Sequence, residues 1–134
     1  MRTDVYRRQH HQIRTLLAGT SQFLVPLDAG ACRSGLERLA TVLNVHLALE
    51  DKALYPRLMT HDDPDVRRTA SEFHTRMGRL AEQFEAFYAK WGRPGEIESS
   101  AYEFAVEYRA LSEALRHRMD VEDATLYQLV ERAS

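Results

Sequence analysis

Apolar residues along this chain of 134 recur at spacings of three and four, and no stretch alternates as a strand would, so the pattern predicts helices throughout. Three clusters of turn-forming residues divide them: Pro26 to Gly30, His61 to Pro64, and Gly92 to Gly95. The first helix is expected from Thr3 or Asp4 to Leu24, with Tyr6, Ile13 and Leu17 on its inward stripe. The second runs from Asp28 through Leu36, Leu39 and Leu43 to Leu54, and Pro56, which has no N–H to give, is expected to kink or loosen its last turn. The third starts after Asp63, with Pro64 at the favoured first helical position, and ends near Trp91. The fourth spans roughly Glu96 to Arg132. Short links between long helices make antiparallel neighbours. The expectation is therefore an all-α fold, an antiparallel up-down-up-down four-helix bundle, forming a single domain over residues 1–134.

Several polar residues fall on the inward stripes. His10 is in phase with Tyr6, Ile13 and Leu17, whereas His11 points away. His46 and Glu50 stand four apart on the stripe of Leu39, Leu43 and Leu54. His74 leads Met77, Ala81, Phe84 and Tyr88 along the third helix, and the fourth carries His117 and Glu122. Singly, each histidine reads more readily as a hydrogen-bonded core residue than as a ligand. Jointly they read otherwise, because the chain repeats itself: His46-Leu-Ala-Leu-Glu50-Asp51-Lys-Ala-Leu54-Tyr55 is echoed by His117-Arg-Met-Asp-Val-Glu122-Asp123-Ala-Thr-Leu126-Tyr127. Measured from the turns at ~1.5 Å per residue, the four histidine-bearing segments lie at heights that differ by no more than about two helical turns. A buried His and Glu are costly unless something pairs with them, and a divalent or trivalent cation is a ready partner. The candidate metal ligands are His10, His46, Glu50, His74, His117 and Glu122. No nucleophile or general base outside this set is recognisable.

The second copy of the repeat is one residue longer. His117 and Glu122 are five apart, a separation that turns ~140° in a regular helix, too far for both to face one ion easily. A π-bulge between Arg118 and Glu122 would return them to one face, and such bulges recur at functional sites. A regular helix beside two metals, with the Glu122 side chain reaching across, is the alternative. Failing both, Asp120 or Glu113 becomes a competing ligand.

Composition narrows the function classes. A net charge of −2 offers no footprint for nucleic acid or an anionic membrane. Cys32 is the only cysteine, so no internal disulfide can form and a reducing compartment is expected. With no apolar run of bilayer length and no signal-peptide core at the N-terminus, a cytoplasmic location is expected. Imidazole and carboxylate ligands suit iron, manganese and zinc, and a cluster without cysteine disfavours copper(I) or iron–sulfur. Tyr55 and Tyr127 hold equivalent places in the two halves, as hydrogen-bond donors to the ligands or as core aromatics.

The motifs His10-x-x-Ile, His46-x3-Glu-Asp-x2-Leu-Tyr-Pro, His74-x-x-Met and His117-x4-Glu-Asp-x2-Leu-Tyr span essentially the whole chain, which resembles the hemerythrin-like, or HHE cation-binding, domain. The five-residue spacing on the last helix is the one hemerythrins use for their second bridging carboxylate, which favours Glu122 over Asp120 and Asp123. The resemblance implies a cofactor of two non-heme iron ions bridged by Glu50 and Glu122 and capped by histidines, another divalent metal being compatible with a purified form. It implies a small ligand such as O2, NO or peroxide. One departure stands out: oxygen-carrying hemerythrins place a second histidine four residues after that of the third helix, and here that residue is Gly78. Glycine there means close helix packing or an open coordination position, and it weakens the expectation of reversible oxygen carriage more than that of metal binding. The first function expected is a di-iron module that binds or senses oxygen, nitric oxide or iron. The alternative is a di-iron enzyme acting on peroxide or a small nitrogen or oxygen species at a site opened by Gly78. The sequence leaves the oligomeric state open.

Overall fold

The computed structural model describes residues 2–133, and among these every regular element is helical. In chain order they are α1 (Asp4–Ser21), α2 (Ala29–Leu49), a π-helical turn (Glu50–Leu54), α3 (Tyr55–Leu58), α4 (Pro64–Met77), α5 (Leu80–Trp91), α6 (Glu96–Ser99), α7 (Ala101–Val121), a second π-helical turn (Glu122–Leu126) and α8 (Tyr127–Ala133). Two helix starts follow from local chemistry. The Asp28 carboxylate accepts the backbone N–H of Ala31, and that of Asp63 accepts the N–H of Asp65, with Pro64 in the first turn.

Two expected helices are interrupted. The third breaks at Gly78 and Arg79, where α4 gives way to α5. A Cβ on Gly78 would lie 2.5 Å from the His74 carbonyl oxygen and 3.1 Å from two atoms of the His74 ring, so this position admits only glycine while that ring stays where it is. The fourth breaks at Ser100, whose φ of −141° departs from the helical region. The first ends at Ser21, short of Leu24.

Packing places a polar layer between two apolar clusters. In the larger, α1 packs on α2, α2 on α5, α5 on α7 and α7 on α1, around Ile13, Leu17, Leu36, Leu43, Phe84, Trp91, Phe104 and Leu115. In the smaller, α3 packs on α4 and α4 on α8, around Leu54, Tyr55, Leu58, Val66, Leu126 and Tyr127, beside the two ends of the chain. Between them lie His10, His46, Glu50, Arg118 and Glu122, all buried. Charged groups at such depth persist only when paired or bound to a cation.

Candidate metal centre

The two π-helical turns explain how the carboxylates come to face each other. Each begins at a glutamate, and the N–H of the following tyrosine reaches back five residues, Tyr55 to Glu50 and Tyr127 to Glu122. Proline is not required for such a turn, since the second has Gln128 where the first has Pro56. The extra residue in each turn sets the glutamate and the tyrosine on one face. The two halves then cross-connect: the Tyr55 hydroxyl donates to Glu122 Oε2 at 2.6 Å, and the Tyr127 hydroxyl donates to Glu50 Oε2.

Four groups converge at this level. One ligand atom from each of His10, His46, Glu50 and Glu122 lies within 4.8 Å of all the others. Both imidazoles are held from behind. The Nδ1 of His10 stands 2.8 Å from Asp123 Oδ1, and that of His46 stands 2.7 Å from Gln9 Oε1. An imidazole that gives its Nδ1 proton outward turns the lone pair of Nε2 inward, the arrangement that orients metal-binding histidines. His10 Nε2 lies 3.1 Å from Glu122 Oε1 and His46 Nε2 lies 2.9 Å from Glu50 Oε1. Yet neither His46 Nε2 nor Glu122 Oε1 makes an aligned hydrogen bond, although both are buried. Buried polar atoms that are close but misaligned suit a cation set among them better than they suit one another. The donor set therefore fits one metal ion.

The structure places the other two expected ligands differently. His117 is exposed and lines a surface cleft with Arg76, Arg79 and Gln83. The reason is helix geometry: α7 stays α-helical up to Glu122, whose N–H bonds back to the Arg118 carbonyl, so no widening lies between residues 118 and 122. The π-helical turn expected there begins one step later, at Glu122. His117 is thus rotated away from Glu122, and Arg118, four residues before it, takes the inward place. His74 is half-buried, its ring 5.9 Å from that of Tyr55 and its Nδ1 buried without a hydrogen-bond partner. It stands outside the convergent group of four, and its ring lies against Gly78, which accords with the close-packing reading of that glycine rather than with an open position.

Arg118 is the residue sequence reasoning missed. Its guanidinium is 2% exposed, with Nε 3.1 Å from Glu122 Oε2, Nη2 3.2 Å from Glu50 Oε1 and 2.6 Å from Asp51 Oδ1, and Nη1 3.2 Å from the Met77 carbonyl. The signal was present in the spacing: four residues before Glu50 stands His46, and four before Glu122 stands Arg118. Asp123 and Gln9, which hold the two imidazoles, were also missed, since only the packing of separate helices brings them there.

Protonation follows from this pairing. Burial would lower His10, but the hydrogen bond to Asp123, the Glu122 carboxylate 3.1 Å away and the charge of Glu50 outweigh it and raise it to about 9. Burial alone would raise Glu50, yet His46, Arg118 and the Tyr127 hydroxyl hold it well below the usual carboxylate range. Glu122 is raised by burial and by the charge of Glu50, against the pull of His10 and Arg118. Without metal, His10 and Arg118 thus set positive charge against the two glutamates. Because the His10 pKa is raised, the stability it contributes is complete below its ordinary value near 6.5 and is lost as pH rises through about 9. A metal taking Nε2 must displace that proton. Metal affinity should therefore rise up to ~10-fold per pH unit between pH 7 and 9 while the metal-free chain loses stability, with about one proton released per ion at pH 7. Calorimetric titration in buffers of different ionisation enthalpy reads the proton directly, and zero release contradicts the assignment.

The model of the hemerythrin HHE cation binding domain family matches residues 1–130, so the chain belongs to that family. No curated protein and no solved structure matches it. Among the described residues no helix is long and apolar enough to cross a membrane.

Proposed function

We propose that this chain is an iron-binding module whose resident ion is held by His10, His46, Glu50 and Glu122 and meets a small ligand such as O2, NO or peroxide. The observation that carries the reading is the pair of imidazoles, each fixed through Nδ1 by a residue behind it, with Nε2 aimed at two buried carboxylates. Two nitrogen and two carboxylate donors suit iron or manganese, and membership of the family favours a redox-active ion over a purely structural one. Bound iron would supply open coordination positions for a small molecule. The protein's own share is selection by size and polarity: His10, Glu50 and Glu122 are fully buried between two apolar clusters, so only small species can reach them. The Tyr55 and Tyr127 hydroxyls hold the carboxylates in place, and burial together with the neighbouring charges keeps both phenols protonated.

We read the helices as four antiparallel rods, the arrangement in which helical bundles build metal sites from side chains on facing helices. The enzymatic alternative rested on space opened by Gly78, and the His74 ring lies against that position. The test is reconstitution with iron(II) under anaerobic conditions, followed by elemental analysis and visible spectra before and after O2, NO and azide. Stoichiometric iron with ligand-dependent absorption is expected. A chain that retains no iron, or whose iron spectrum ignores all three ligands, contradicts the proposal.

A further inference from the structure

The two halves of the chain are built alike, and their differences fall on one side of the centre. In the first half, His46 precedes Glu50 by four residues; in the second, Arg118 precedes Glu122 by four. The tyrosines cross over symmetrically, Tyr55 to Glu122 and Tyr127 to Glu50. The aspartates do not. Asp123 holds His10 through Nδ1, whereas its counterpart Asp51 is bound to Arg118 at 2.6 Å, and His74, the counterpart of His10, is left with a buried, unpartnered Nδ1. Arg118 thus stands where a second inward imidazole would stand, and it also takes the carboxylate that would have oriented His74.

Its contacts reproduce those of a bridging ion. The guanidinium joins Glu122 Oε2 to Glu50 Oε1, the two carboxylates that would be shared between paired metals, and Glu122 meets His10 through its other oxygen. A guanidinium is always charged and presents several donors in a rigid plane, so it can satisfy three carboxylates and a backbone carbonyl at once. With Arg118 there, a second metal would have to sit beside a fixed positive charge, with the His74 imidazole on that side and with carboxylate oxygens already engaged.

We propose that Arg118 is the second cation of this centre, filling the place of a second metal ion, so that the chain binds one metal rather than a carboxylate-bridged pair. This rests on the reading that His10, His46, Glu50 and Glu122 hold a metal at all. The test is the number of ions per chain, by elemental analysis after loading with manganese(II) or iron(II) and removal of excess. One ion is expected for the unsubstituted chain and for Arg118→Lys, which keeps the charge. Two are expected for Arg118→His, which repeats in the second half the His46 spacing of the first and frees Asp51 for His74. The electron paramagnetic resonance of the manganese-loaded, unsubstituted chain should be that of an isolated ion, a readout that does not depend on whether any variant folds. Two ions or a spin-coupled pair in the unsubstituted chain overturns the assignment of Arg118 while leaving the metal site standing. A folded Arg118→His chain that still takes a single ion overturns it as well. No ion in the unsubstituted chain overturns the metal reading and the Arg118 assignment with it.

Discussion

Replacing Arg118 with leucine should destabilise the metal-free protein by about 3–5 kcal/mol at neutral pH, on the order of a 10–20 °C fall in Tm for a chain of this size. Glu50 and Glu122 are both fully buried, and Arg118 is the one permanent cation that touches both. Its loss leaves the two carboxylates facing each other without their permanent countercharge, with the His10 and His46 imidazoles as the remaining neighbours. Removing one partner of a buried ion pair costs far more than removing both, because the remaining charge keeps its desolvation penalty without a countercharge. Arg118→Leu combined with Glu122→Gln should therefore recover a large part of the loss, and the two changes should be strongly non-additive in a double-mutant cycle. Lowering the pH should also narrow the gap, since protonation removes the charge that Arg118 balances. Thermal or urea unfolding of the four proteins measures all of this. A change of less than about 1 kcal/mol in Arg118→Leu would mean that the guanidinium lies in solvent rather than between the glutamates.

The second large effect separates the ligand set drawn from sequence from the one the structure assembles. His46→Ala and His10→Ala should each weaken metal binding by at least ~100-fold, more than the loss typical of substitutions outside the coordination shell. His117→Ala should leave affinity within error, because that side chain is exposed and lies on another face of α7 from Glu122. Competition against a metal-binding dye measures the three side by side. An equal loss in His117→Ala would return His117 to the ligand set and require α7 to turn at its last two turns.

Much of this was legible beforehand, and the failures share one cause. The spacing of Ile13, Leu17, Leu36, Leu39 and Leu43 located the helices and their inward faces, and Asp28 and Asp63-Pro64 marked two starts, because capping and amphipathicity are properties of local sequence. The repeated Glu-Asp-x2-Leu-Tyr located both carboxylates and both tyrosines that serve them. The interruption at Gly78 was less visible, since it reflects the need to seat the His74 ring rather than an intrinsic preference of the backbone. The second helical widening begins at Glu122, one step beyond the place that an inward His117 requires. Counting back four residues from each glutamate, as a regular helix demands, sets His46 opposite Arg118. An arginine in a core is unexpected, being rarely buried unless paired. Here four acceptors from three other segments supply the pairing, and only the folded chain assembles them.

The same geometry connects fold to function. The two π-helical turns let a glutamate and a tyrosine share a face in each half, and the crossed hydrogen bonds tie α3 and α8 across the centre. Between the apolar clusters this leaves one cradle of two imidazoles and two carboxylates, with an arginine closing its far side. On the proposed reading the two glutamates share two positive partners, one a metal ion and the other the Arg118 side chain.

The most direct measurement is an anomalous difference map from crystals of the iron-loaded protein, collected at the iron edge. One peak is predicted, bonded to His10 Nε2, His46 Nε2 and the carboxylates of Glu50 and Glu122, with Arg118 still joining those carboxylates from the other side. A peak in the place of the Arg118 guanidinium, or iron bound elsewhere on the chain, would contradict the account.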